Sequence, residues 1–177
     1  MRILVTNDDG IHAPGLKALV DVAKRFGEVK IVAPDHERSA CGHSMTMRRP
    51  LRVWSVEWEG ADAYEVDGVP VDCVNVGLTV AWPDGCDLLL SGINNGPNLG
   101  FDITYSGTCA GAMEGAINGI KSMAGALLAA IVAVLVTLRR PTPATADFAE
   151  ARSPRPAPPR APSSSPPLTL RRELAAI

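Results

Sequence analysis

The chain has 177 residues, enough for one domain with a buried core. Its 46% apolar and 20% charged composition excludes collagen, a coiled coil and a wholly disordered chain. A net charge of −2 gives no overall signal for a nucleic-acid polymer as partner.

The average conceals two parts. Residues 1–138 carry 10 basic and 16 acidic side chains, whereas residues 139–177 carry 7 Arg and 3 acids. All 16 Gly lie at or before Gly125, and nine of the 15 Pro lie in the last 39 residues. A boundary is therefore expected between 124 and 140. The four cysteines, at 41, 73, 86 and 109, form no CxxC pair and fit no zinc module. They read as reduced thiols, mostly buried as small apolar groups. The opening MRILVTNDDG has neither the basic region nor the long apolar region of a signal peptide, so the expected location is cytoplasmic.

In chain order, RILVT at 2–6 is a short apolar run stopped by Asn7-Asp8-Asp9-Gly10, which reads as a buried strand. Pro14-Gly15 opens a helical pattern of Leu16, Leu19, Val20, Val22, Ala23 and Phe26, with Gly27 as its stop. VKIVA at 29–33 is a second strand, and a right-handed crossover makes the two parallel. A polar loop follows at 34–44, then hairpin-like excursions over 45–69. The spacing predicts a helix over 71–82, a strand at 87–91, a Gly/Asn-rich loop at 92–107 and a small-residue helix at 108–120. This is an α/β layered order. Three loops leave strand C-termini, where open parallel sheets bind ligands, and the unusual residues lie in those same loops.

Residues 123–138 read MAGALLAAIVAVLVTL without a charge, short of the roughly 20 that a spanning helix needs. The run fits a buried strand–helix segment or an exposed remnant, with a membrane tether as a third option. From 141 the chain is rich in Pro, Ala, Arg and Ser, a composition that buries too little apolar surface to fold.

Asp8-Asp9 at a strand end can hold a hard cation such as Mg²⁺ or Mn²⁺ through oxygen; a plain Asp-Gly turn fits the same residues. Ser39 offers a neutral oxygen and Arg38 a positive charge, although both suit an ordinary loop. His43 is a weak candidate for proton transfer. The segment 91–100 holds three Asn and three Gly, supplying carbonyl oxygens, N–H donors and backbone that approaches a ligand closely. Ser106-Gly107-Thr108 opens a helix and presents backbone N–H groups to an anion, or merely caps it. No GxGxxG follows the first strand and no GxxxxGK[ST] occurs. Together these loops suit metal-assisted hydrolysis of a phosphate ester.

Four blocks, MRILVTNDDGIHAPG, VAPDHERSACGHSMT, GVPVDCVNVGL and DLLLSGINNGPNLGFDITYSGTCAGAMEG, resemble the SurE survival proteins, metal-dependent nucleotidases, over residues 1–124. The resemblance implies a three-layer Rossmann-like α/β fold, a mostly parallel sheet with helices on both faces. It implies one divalent cation, Mg²⁺ or Mn²⁺, held by Asp8, Asp9, Ser39 and Asn94, with Asp8 and Asp9 as the catalytic pair. Phosphate contacts map to Asn98, Ser106, Gly107 and Thr108. The implied substrates are nucleoside 5′- and 3′-monophosphates, with short-chain polyphosphate beside them; no nucleic-acid polymer is expected. The family forms homodimers and tetramers through parts that continue past 124, where this chain departs from the pattern. The expected organisation is a nucleotidase domain at 1–124, an apolar segment at 125–140 and a disordered tail at 141–177. The alternative is an inactive truncated or frameshifted homologue that retains only metal or nucleotide binding.

Overall fold

The computed structural model describes residues 1–128 and 131–137. The tail expected at 141–177 lies outside the described residues.

Strand β1 (Arg2–Thr6) is buried from Ile3 onward. Strand β2 (Glu28–Pro34) lies parallel beside it, with Ile3 opposite Val29. Helix α1 (Pro14–Ala23) makes the crossover, with Pro14 in its first turn, where a missing N–H costs nothing. Leu16, Val20 and Ala23 bury against Ile3, Val5 and Ile31. Val22 and Phe26 of the apolar spacing instead face solvent, and the helix ends before Gly27. The buried stripe is narrower than the hydrophobic pattern because α1 touches one sheet face only.

Strands β3 (Val53–Val56) and β4 (Asp62–Val66) form an antiparallel hairpin, and β4 also pairs in parallel with β2. Helix α2 (Pro70–Val76) runs on into a π-helical turn at Gly77–Ala81, so the helix expected over 71–82 is wider-wound in its last part. Cys73, Val74 and Trp82 pack on the opposite sheet face from α1, against Leu4, Val32 and Leu89. Asp72 accepts the Val69 N–H at 3.0 Å and ties down the start of α2.

Strand β5 (Leu88–Asn94) lies parallel on the other side of β1. A 3₁₀ turn at Gly100–Thr104 leads to helix α3 (Gly107–Ile117), on the α2 side of the sheet. Strands β6 (Lys121–Leu128) and β7 (Ile131–Thr137) finish a seven-stranded sheet in the order β3-β4-β2-β1-β5-β6-β7. The five central strands are parallel and each edge strand is antiparallel. The boundary expected at 124 falls inside β6. Over 123–128 and 131–137 the apolar run is therefore strand, the two stretches paired antiparallel, and the helical readings of these residues are corrected. Backbone pairing to β5 decides this, since a uniformly apolar run carries neither period. Among the described residues no helix is long and apolar enough to cross a membrane.

Gly15 positions the ligand edge of this sheet. A Cβ there would overlap the carbonyl oxygen of Ile93, so α1 packs directly on the end of β5. Because that obstacle is backbone, Gly15→Ala is expected to destabilise the fold by about 1–3 kcal/mol. Urea denaturation checks this, and an unchanged midpoint would remove the argument for close approach.

Candidate metal and phosphate site

The loops after β1, β2 and β5 meet beyond the C-terminal ends of the parallel strands. Asp8 is 4% exposed, at the floor of this meeting point. The Thr108 hydroxyl, at the start of α3, donates to Asp8 Oδ1. From the β2 loop, the Arg38 N–H donates to the Asp8 carbonyl at 2.7 Å. From the β5 loop, the Asn95 N–H donates to Asp9 Oδ2 at 3.0 Å. The Gly42 N–H reaches the Tyr105 carbonyl at 2.9 Å and closes the ring between the β2 loop and α3. Segments some 100 residues apart in the chain are therefore bonded to one pair of adjacent carboxylates.

The electrostatics are lopsided. Burial raises the Asp8 pKa above the ordinary carboxylate value despite the Thr108 hydrogen bond, and the Asp9 charge raises it further. Burial likewise raises Asp9, against the Asn95 N–H, and Glu37 adds repulsion. The Cys41 thiol is pushed up by burial and then by the Asp8 charge, which keeps it protonated. The nearby Arg38 guanidinium turns away, to Asp35 at 3.0 Å and the Asp67 carbonyl at 3.1 Å. Among the described residues no ion pair involves Asp8 or Asp9. Uncompensated, partly buried acids of this kind are stabilised by a cation.

The donor chemistry fits a hard divalent cation. Besides the two carboxylates, Asn94 turns its amide N–H₂ to the Gly96 carbonyl at 3.1 Å, which leaves its oxygen free to coordinate. Ser39 is less committed to the centre: its hydroxyl donates to Glu37 Oε1 at 2.5 Å, and Glu37 in turn faces Asp9. Among the described residues no three His, Cys, Asp or Glu side chains group as ligands, so a cation here needs the neutral oxygens as well. Two buried polar atoms of the loops after β1 and β5, Asn7 Oδ1 and Asn98 Nδ2, have no protein partner. An unpaired donor such as Asn98 Nδ2 is costly unless a ligand meets it.

The start of α3 lies directly against Asp8. Ser106 Oγ accepts the Cys109 N–H at 3.1 Å and caps the helix, leaving the hydroxyl proton to donate outward. Gly107 is where α3 touches the acid pair: a Cβ there would lie 2.8 Å from Asp8 Cβ and 2.9 Å from Cys41 Sγ. Thr108 spends its hydroxyl on Asp8, so it orients a carboxylate in addition to any phosphate contact. Asn95 and Glu37 were not among the expected site residues. Only the neighbouring Asn94 and the acid-rich DHERS run hinted at them.

The parallel sheet, with a carboxylate pair at one strand end and the capped start of α3 bonded to it, defines an α/β protein whose unusual polar groups gather at the C-terminal edge of the strands. A family model described as Survival protein SurE matches residues 3–151, and the chain belongs to that family. It is 54% identical over 102 residues to a 5′-nucleotidase SurE of Pelobacter propionicus, covering 58% of this chain and 40% of that protein. A 5′-nucleotidase SurE of Geobacter sulfurreducens is 50% identical, with 58% and 38% covered. The crystal structure of a SurE protein from Aquifex aeolicus superposes with a TM-score of 0.66 at 47% identity, over 71% of this chain and 50% of that one. The chain thus spans about two fifths of the curated relatives it matches.

Proposed function

We propose that the chain hydrolyses nucleoside 5′- and 3′-monophosphates, and short-chain polyphosphate, to release phosphate with one Mg²⁺ or Mn²⁺. The observation that carries this reading is the convergence of three loops on Asp8 and Asp9, with α3 starting beside them. Asp8, Asp9, Asn94 and Ser39 would hold the cation. When bound, it supplies Lewis acidity to the phosphoryl oxygens and lowers the pKa of a coordinated water. The chain's own groups do the rest. Thr108 fixes the orientation of Asp8. Asn98, the Ser106 hydroxyl and the N–H groups at Gly107 and Thr108 bind the phosphate, helped by the positive end of the α3 dipole.

The named activity of the SurE relatives supports a nucleotidase reading. Four free cysteines support a reducing, cytoplasmic setting. Assembly into homodimers or tetramers belongs to the same proposal. The test is phosphate release from 5′-AMP and 3′-AMP by the full chain, with Mn²⁺ and then with excess EDTA. Release that stops in EDTA and returns with Mn²⁺ is the expected result. No release under either condition favours a homologue that binds without turnover, and release indifferent to EDTA sinks the metal assignment.

A further inference from the structure

The loop that carries Ser39 is held in a conformation that costs energy. Ala40 sits at φ 55°, in the left-handed region that a residue with a Cβ rarely adopts. Such a residue persists where its surroundings over-determine it. Two pins flank it. On one side the Arg38 N–H is bonded to the Asp8 carbonyl at 2.7 Å. On the other, the Gly42 N–H reaches the Tyr105 carbonyl at 2.9 Å, and the next residue, His43, places Nε2 3.0 Å from Glu114 Oε2.

Glu114 is the unusual partner. It is 1% exposed, on the second turn of α3 beyond Gly107, and takes no part in the proposed cation or phosphate contacts. Its other oxygen has only an amide contact, from Asn118 Nδ2 at 3.3 Å. A buried carboxylate needs a charge-bearing or strong donor partner, and His43 is the group that reaches it across 71 residues. The pair therefore ties the Ser39 loop to the same helix that orients Asp8 through Thr108.

We infer that His43 and Glu114 form a positioning clamp, holding the strained 38–43 loop, and with it Ser39, beside Asp8 and the start of α3. His43 is thus a positioning residue, acting through its bond to Glu114. This rests on the cation reading above, and its test keeps the two apart. Mn²⁺ alone is the probe, titrated into the metal-free full chain and followed by the paramagnetic resonance of free Mn²⁺, beside the thermal melt of the metal-free protein.

Loss of a partner that orients a ligand typically costs 10–100-fold in metal affinity. His43→Ala is expected to weaken Mn²⁺ binding about 10-fold while the metal-free melt stays cooperative. His43→Gln, whose amide nitrogen reaches about as far as Nε2, recovers most of that loss. Combined with Ser39→Ala, His43→Ala adds little, because both remove the same ligand. If His43→Ala does not melt cooperatively, His43→Leu keeps the volume without the donor and carries the comparison. Unchanged Mn²⁺ affinity in the folded variant, no recovery with Gln, or additivity with Ser39→Ala would each overturn the clamp. A wild-type chain that binds no Mn²⁺ defeats the cation reading itself, and the clamp with it.

Discussion

Asp8→Asn is expected to remove metal-dependent phosphate release, by on the order of 10³-fold, while making the metal-free fold more stable. The two effects have one origin. Asp8 is buried among Thr108, Gly107 and Cys41 and repelled by Asp9, so its carboxylate is harder to ionise here than in the unfolded chain. A raised folded pKa means that the native state binds its proton more tightly. Below the ordinary carboxylate pKa both states hold the proton and there is no penalty. As pH rises through the raised value the metal-free fold loses stability, and the loss persists at neutral pH. Asparagine carries no charge, so it escapes that loss, and its Oδ1 still accepts from Thr108.

A gain of about 0.5–2 kcal/mol at pH 7 in EDTA is expected, shrinking towards zero near pH 3–4. Mn²⁺ should reverse the order by stabilising the wild type and not the variant. Urea denaturation of both proteins, with EDTA and with Mn²⁺ across that pH range, gives the stability half. Phosphate release from AMP gives the other. A variant that is less stable than wild type in EDTA at neutral pH would contradict the buried-repulsion argument even if activity were lost.

Gly107→Ala is the second large effect, about 10²-fold in kcat/KM. The new Cβ would sit 2.8 Å from Asp8 Cβ and 2.9 Å from both Asp8 Oδ2 and Cys41 Sγ. Each of these is closer than carbon tolerates, and all are held: Asp8 by Thr108 and Arg38, Cys41 by the pinned loop. Helix α3 must back away from the acid pair, or Asp8 must turn. Either movement would separate the proposed phosphate contacts from the proposed cation ligands by roughly an ångström or less, the scale on which catalysis fails. The fold should lose only about 1–3 kcal/mol, as overpacking usually costs. Pairing Gly107→Ala with Cys41→Ala discriminates: removing the sulfur relieves one of the clashes and should restore part of the activity. Activity equal to wild type in Gly107→Ala would show that α3 does not approach the carboxylates as closely as Gly107 requires.

The local pattern was enough for the first half of the sheet. Short apolar runs stopped by turn residues marked β1 and β2, and Pro14 marked the entry of α1, because these signals act within a few residues. The carboxylates and the Asn-rich loop are legible in the same way, at strand ends. The apolar spacing of α1 is wider than its buried stripe, since Val22 and Phe26 meet no second layer. Residues 123–137 are ambiguous from sequence, since a run of apolar residues looks alike as strand or helix until a neighbour offers hydrogen bonds.

Which residues of those loops touch is a different matter. Ser39 is bonded to Glu37, Thr108 to Asp8 and His43 to Glu114. The last two do not follow from spacing, because they join segments 100 and 71 residues apart. Side-chain types and strand ends are properties of short stretches, set by sterics and hydrophobic period. Their convergence is a product of sheet order: β5 and β2 must flank β1 before loops from three strands can bond to one pair of aspartates.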